Sequence, residues 1–308
     1  NIGLDYGFAG NRISGALDVY YRKTKDALSE IPIAGGANFS NVLLTNIGNI
    51  ENKGIEFSVT ARAVETKDVN WTLSYNVSYN KNEITKLADD PNVIYRRGGI
   101  TGGTGNQVLV FHPGYSFNTF YVYQQIYDQN GKPIEDAYVD QNGDGAIDGQ
   151  DLRPYKKADP DVFMGLSSQL TFKNWDFNFA LRASFGNYLY NNIQSNREAF
   201  GGSWLFDQSG FLKNRVNSAA ETNFSQAQFM SDYYIQNASF LRMDNVSLGY
   251  TFLKPFKGLE SARLYATVQN PFIITKYKGL DPEINNDGID NNIYPRPRIY
   301  MVGLSLNF

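Results

Sequence analysis

Apolar residues hold every second position over long stretches of the chain. Ile55, Phe57, Val59, Ala61 and Ala63 alternate with Glu56, Ser58, Thr60 and Arg62. Trp71, Leu73, Tyr75, Val77 and Tyr79 alternate with Thr72, Ser74, Asn76, Ser78 and Asn80. Trp175, Phe177, Phe179, Leu181, Ala183 and Phe185 alternate with Asp176, Asn178, Ala180, Arg182 and Ser184, and Tyr300, Val302, Leu304, Leu306 and Phe308 make a final stripe. Less regular runs lie at 2–9, 12–22, 162–172, 240–253 and 261–271. Successive side chains of a strand point to opposite faces, so this period predicts half-buried strands. Nine are expected, of roughly 9–13 residues, against ~5–6 for ordinary strands and ~9–11 for a strand that crosses a bilayer.

The polar positions narrow the choice. Asp18, Glu56, Arg62, Asn76, Asp176 and Arg182 would face bulk water in a soluble sandwich and a wet lumen in a large barrel. Aromatics near strand ends on the apolar faces (Trp71, Tyr79, Trp175, Tyr250, Tyr300) suit the two girdles of a membrane barrel. Connections are short near 9–12, 64–69, 173–175 and 254–260, and long at 23–50, 84–160, 187–239 and 272–296. That asymmetry is the one between periplasmic turns and extracellular loops, provided 84–160 is a single extracellular excursion. The fold expected is therefore all-β, a transmembrane antiparallel barrel with long extracellular loops. Within one bacterial chain the strand count of such a barrel is normally even, and open edges in lipid are prohibitive, so nine strands do not close it and further strands are expected from outside these 308 residues. The start at Asn1, with neither Met nor signal peptide, reads the same way, as a fragment or processed piece.

Composition removes most chemistries. The chain has no cysteine and one histidine, which excludes thiol catalysis, Cys-ligated metals and iron–sulfur clusters. A net charge of −3 argues against a nucleic-acid binder. No run approaches the ~18 apolar residues of a membrane helix. Gly98-Gly99 and Gly102-Gly103 are loop glycines, and no phosphate-cradling Gly-Lys-Ser/Thr loop is present, so no nucleotide is expected, nor haem. His112, beside Pro113, has no local Ser or Asp constellation. Glu51 and Glu56 fall on opposite faces by parity and cannot converge as a hydrolytic pair. No enzymatic role is expected.

One motif has the spacing of a metal loop. In 140–151, oxygen donors fall at positions 1, 3, 5, 9 and 12 (Asp140, Asn142, Asp144, Asp148, Asp151), with Gly145 at position 6. Ala146 would offer its carbonyl at position 7, and Ile147 would anchor the loop on apolar neighbours. Asp151 replaces the usual Glu, whose longer reach gives two-oxygen coordination. The loop reads as a calcium site that stiffens the excursion or as an ion-free Asx-rich turn. A second acidic stretch, 281–290, lacks that spacing and reads as an ordered turn. Between 197 and 240, Phe200, Trp204, Phe206, Phe211, Phe229, Tyr233 and Tyr234 are expected chiefly to pack or to meet a partner rather than to touch a ligand.

Several stretches together resemble the SusC/RagA family of TonB-dependent outer-membrane transporters. They are Asn1-Ile2-Gly3-Leu4-Asp5-Tyr6-Gly7-Phe8, Asn46-Ile47-Gly48-Asn49-Ile50-Glu51-Asn52-Lys53-Gly54-Ile55-Glu56, Ser239-Phe240-Leu241-Arg242-Met243-Asp244-Asn245-Val246-Ser247-Leu248-Gly249-Tyr250 and Gln269-Asn270-Pro271-Phe272. Lys278-Gly279-Leu280-Asp281-Pro282-Glu283, Tyr294-Pro295 and the closing Leu304-Ser305-Leu306-Asn307-Phe308 match as well. The resemblance spans nearly the whole chain. It implies that residues 1–308 are the C-terminal portion of a 22-stranded barrel, with the plug and the remaining strands elsewhere in the same transporter. It further implies oligosaccharide or oligopeptide cargo, a SusD-like surface lipoprotein as lid, and energy from TonB through the plug. A terminal aromatic such as Phe308 also resembles the signal read during barrel assembly. A passive porin, a multi-chain partial barrel and a soluble carbohydrate-binding β-protein are the alternatives, separable by a plug-bearing gene and by partition into detergent.

Overall fold

A computed structural model describes residues 1–32, 42–87, 94–201, 210–284, 287–291 and 294–308. Among them, nine strands run in sequence order through one antiparallel sheet. They are β1 (Ile2–Phe8), β2 (Ile13–Pro32), β3 (Val42–Glu65), β4 (Val69–Lys86), β5 (Val162–Phe172), β6 (Trp175–Phe185), β7 (Phe240–Phe256), β8 (Leu259–Gln269) and β9 (Ile299–Asn307). A short strand, Ile273–Thr275, extends the sheet beside the start of β7. No described helix is long and apolar enough to cross a membrane.

The register converts the alternation into two faces. Leu4, Leu17, Phe57, Val77, Met164, Ala183 and Leu241 are successive cross-strand partners, one apolar row through seven strands. The neighbouring row, Asp5, Ala16, Ser58, Asn76, Gly165, Arg182 and Arg242, lies on the opposite face. The apolar face is bare: Ile2 and Val302 are each 80% exposed and Leu304 62%. A soluble sandwich would bury that face under a second layer, whereas a membrane strand turns it to lipid.

Short turns all lie at one end of the sheet, at 9–12, 66–68, 173–174 and 257–258, and the longer connections at the other. Two-residue hairpins need left-handed backbone, supplied by Lys173 (φ 55°) and Gly258 (φ 90°).

Strand length departs from expectation. The strands run from 7 to 24 residues, and β2 and β3 absorb most of the stretch 23–50 that reads in the sequence as a long connection. The reason is visible on the outward face. Above Val19, Ile55 and Tyr79 it changes to Tyr21, Lys53 and Lys81, and then to Lys23, Glu51 and Glu83. Backbone pairing continues there without apolar side chains, so hydrophobic alternation marks where the lipid-facing surface stops and not where the strand stops. Glu51 and Glu56 do fall on opposite faces, with Glu51 bonded to Lys23 at 3.0 Å.

The buried core sits away from this sheet, in the long connections. Val108, Leu109, Phe120, Val122, Tyr190, Tyr234 and Ile289 pack together beyond the strand ends. The excursion 84–160 holds a four-stranded sheet ordered Arg153–Lys157, Thr119–Val122, Gln107–Phe111, Tyr95–Gly99, and a hairpin of Gln125–Tyr127 with Pro133–Tyr138. A three-stranded sheet joins Tyr188–Asn191 to Ile235–Asn237 and Ile289–Asp290. These residues form a lobe with a water-soluble kind of core on the end of a sheet that has none.

Candidate functional site

A cavity of about 500 Å³ opens on the polar face where β4, β5 and β6 meet the lobe. Asn76, Phe163 and Arg182 reach it from the strands, Asn118 and Asp159 from the excursion, and Glu283 from the last connection. Strand parity places the first three on one face, and the lobe supplies the roof. The walls combine amides, carboxylates and an aromatic ring, which suits a hydroxyl- or amide-bearing ligand.

Two polar networks fix its edges. Arg182 sits between Asp244, with Nε to Oδ1 at 2.8 Å, and Glu283, which it grips through both Nη atoms. Beside it, Arg242 donates to Asp281 at 2.6 Å, and both residues are buried. Arg296 closes the group, 2.8 Å from Glu283. Both Arg182 and Arg242 lie against the Phe240 ring, at 5.9 and 5.7 Å. On the other side, Asn118 Nδ2 donates to Asp159 Oδ1 at 2.6 Å, Ser116 Oγ donates to Asn82 Oδ1 at 2.5 Å, and Arg97 reaches both Asn118 and Asp287. The 281–290 stretch is thus no free-standing turn: Asp281 and Glu283 are its anchors to the sheet. Asn285 and Asn286 lie outside the described residues.

This site is absent from the sequence reading, which named no cargo-contacting residue. Asn76 and Arg182 stood out only as polar-face positions. Nothing local in the sequence pairs them with Asp159 or Glu283, about 80–100 residues away.

The 140–151 loop is built from Asx turns. Asp140 accepts from the Gly143 and Gly145 amides at 2.6 and 2.8 Å, Asn142 from Asp144 at 3.0 Å and Asp144 from Ala146 at 2.8 Å. Asp148 accepts from Gln150 at 2.7 Å. Asp151 ties the ends, accepting from Gln141 at 2.8 Å and Asp148 at 2.7 Å, and the Asp148 amide is the chief cause holding its carboxyl below the usual range. Gly143 and Gly145 take the left-handed backbone the spacing requires (φ 76° and 83°). The loop's carboxylates are thus spent on its own backbone amides, and Asp151, the last of them, is buried. Among the described residues, no three His, Cys, Asp or Glu side chains converge as a finished metal cage. Ile147 is exposed rather than anchored, because the loop packs through Asp151 and Leu152 instead.

Other sequence candidates fall into place as packing. His112 contacts the Pro113 carbonyl at 2.6 Å and the Tyr115 ring edge-on, with no nucleophile beside it. Tyr234 is fully buried in the lobe core, and Phe229 and Tyr233 pack against it. Phe200 and Phe211 are exposed. Trp204 and Phe206 lie outside the described residues.

No protein-family model matches the chain. The TonB-dependent receptor SusC of Bacteroides thetaiotaomicron is 49% identical over 316 residues, covering all of this chain and 31% of that receptor. The chain belongs to the SusC/RagA family of TonB-dependent receptors. TonB-dependent receptor P3 of Formosa agariphila is 28% identical, again over the whole chain and 34% of its own length. Among solved structures, the RagAB peptide transporter superposes with a TM-score of 0.80 at 25% identity, over 99% of this chain and 34% of that one. The chain therefore spans about a third of the relatives it matches. The SusC/RagA fold agrees with the sheet described here, an all-β barrel wall bare on its apolar face. These relatives are named as receptors and a transporter, in line with the expectation of no catalytic role.

Proposed function

We propose that this chain forms part of the wall and outer rim of an outer-membrane active transporter that imports oligosaccharides or oligopeptides. The observation that carries the reading is the pairing of a bare apolar face with a polar face whose cavity is roofed by the lobe. Lipid takes the first and cargo the second. The plug and the remaining strands, to the 22 the family resemblance implies, come from the rest of the same transporter. A SusD-like lipoprotein seats on the lobe as lid, TonB acts through the plug, and the long connections face outward. Mass spectrometry of the membrane complex purified through this chain tests the assignment. A plug-bearing polypeptide and a lipoprotein in fixed ratio are expected, and several copies of this chain alone would overturn it in favour of a partial-barrel oligomer.

We also propose that the 140–151 loop takes a calcium ion through Asp140, Asn142, Asp144, the Ala146 carbonyl, Asp148 and Asp151. The support is the donor spacing and the two left-handed glycines, Gly143 and Gly145. Elemental analysis of the complex after dialysis against calcium should give one ion per chain, lost in Asp140→Asn/Asp144→Asn. Equal calcium in both proteins would leave the loop as an Asx-rich turn.

A further inference from the structure

A second cavity, of about 430 Å³, lies at the upper end of β4 and is lined there by three outward-facing residues and by Asn82 of the opposite parity. Its floor is β4 from Tyr79 to Glu83, and its overhang is the lobe, through Tyr115 and the Arg153–Lys157 strand. Tyr79, Lys81 and Glu83 share the parity of the apolar rows, so they point away from the lumen. Tyr79 belongs to the last apolar row, with Val19, Ile55, Val162 and Phe185. The cavity therefore begins where the lipid-facing surface ends.

Its chemistry is basic and aromatic. Lys81, Lys156 and Lys157 line it with Tyr115 and Tyr155. Lys157 pairs with Asp161 at 2.6 Å and Lys81 lies 3.4 Å from Glu83, so two carboxylates face three ammonium groups. Lys53 is the direct cross-strand partner of Lys81, is exposed, and has no ion pair among the described residues. Like charges in that position repel, and the nearest acids on that face, Glu51 and Glu83, are already bonded to Lys23 and Lys81. The lining itself holds three lysines and two acids, Glu83 and Asp161. Lys156 is held over the Tyr155 and Tyr188 rings, at 5.6 and 5.2 Å, by a bulge at which its own backbone is left-handed (φ 49°). A bulge re-aims a side chain at a cost in strain, and here it brings a cation toward the bilayer boundary.

We propose that this cavity docks the phosphate-bearing headgroup of a lipid in the leaflet at the long-connection end of the barrel. The acyl chains run down the apolar face below Tyr79, and the phosphate lies between Lys81, Lys156 and Lys157. Charge complementarity and continuity with the lipid-facing surface both select a lipid over a soluble anion. In the outer-membrane setting proposed above, on which the choice of lipid rests, the headgroup is that of lipid A.

The test is native mass spectrometry of the intact transporter complex, delipidated and then titrated with bisphosphorylated lipid A, dephosphorylated lipid A or inorganic phosphate. The bisphosphorylated form should be retained about ten-fold better than the dephosphorylated one. The substitution set Lys81→Gln/Lys156→Gln/Lys157→Gln should erase that preference, and added salt should weaken it. Equal retention of the two lipids, an unchanged preference in the variant, or inorganic phosphate bound as well as the lipid would each overturn the proposal. Should the variant fail to assemble, the two-lipid comparison on the unmodified complex decides. Cargo uptake, measured separately, reports on the transporter reading and not on this one.

Discussion

Arg182 on β6 and Glu283 in the last long connection meet across 101 residues of sequence, with Nη2 2.7 Å from Oε2. The pair belongs to a group in which Arg242 and Asp281 are the buried members. A buried charge left without its partner is costly, and more so than the pair is stabilising. Arg242→Met leaves Asp281 with the Glu283 amide, at 2.9 Å, and with Arg296, at 3.5 Å, as its remaining cation among the described residues. Thermal unfolding of the intact transporter should show a loss of about 3 kcal/mol. Arg242→Met combined with Asp281→Asn should recover part of it.

The outward face supplies a depth-dependent prediction. Leu17 lies in the apolar row four residues before Tyr21, on the same strand face. Leu17→Arg should cost about 2–4 kcal/mol in barrel refolding into bilayers, and Tyr21→Arg about 0–1. Equal costs would place the lipid boundary elsewhere.

Tyr265 lies across Gly303 on the neighbouring strand, and a Cβ built on Gly303 would sit 2.3 Å from the ring. Gly303→Ala should push the ring off and loosen β9, at about 1–3 kcal/mol. The heat-modified shift of the barrel on a gel should then occur at lower temperature, and restoring space with Tyr265→Ala should reverse part of it.

Asp232 in the lobe gives a pH-dependent case. Burial pushes its carboxyl above the ordinary range, although the Gln125 amide and Arg153, each at 3.0 Å, favour its charge. A raised carboxyl in the folded state means that stability falls as pH climbs from the ordinary value of ~3.9 through the folded one. Removing Arg153 enlarges that loss. Arg153→Met should weaken the lobe by about 1–3 kcal/mol at pH 7 and by less at pH 5, read as proteolysis of the 94–160 connection. Arg153→Met/Asp232→Asn should show little pH dependence over that range.

The barrel wall was legible because its two solvents differ in kind. Lipid on one side and water on the other impose strict period two, and the row through Leu17, Phe57 and Val77 follows it as far as β6, where a shift at Ala180–Leu181 resets the register with β7. The upper parts of β2 and β3 were not legible, since water lies on both sides there and Lys23, Glu51 and Lys53 carry no periodic signal. The lobe was hidden for another reason. Its short strands, such as Gln107–Phe111, are buried on both faces and read as brief apolar runs within polar sequence. The inner cavity needs Asn76, Asp159, Arg182 and Glu283 together, and only the folded connections bring them there.

The pairing of β4 with β5 also governs how the wall is made. Val69 to Tyr79 lie against Val162 to Phe172, yet residues 87–161 intervene. The strands on either side of each short turn, β1 with β2, β3 with β4, β5 with β6 and β7 with β8, meet after closing only a few residues of chain. Joining β3–β4 to β5–β6, or β5–β6 to β7–β8, requires a far longer closure, whose entropy grows slowly with length but whose contacts arrive late. The core that holds the two ends of 87–161 also takes Tyr190, Tyr234 and Ile289 from later connections, so it is complete only once those have arrived. The hairpin is thus the short-range unit of this wall, and the shared core is the clasp that ties hairpins distant in sequence to one another.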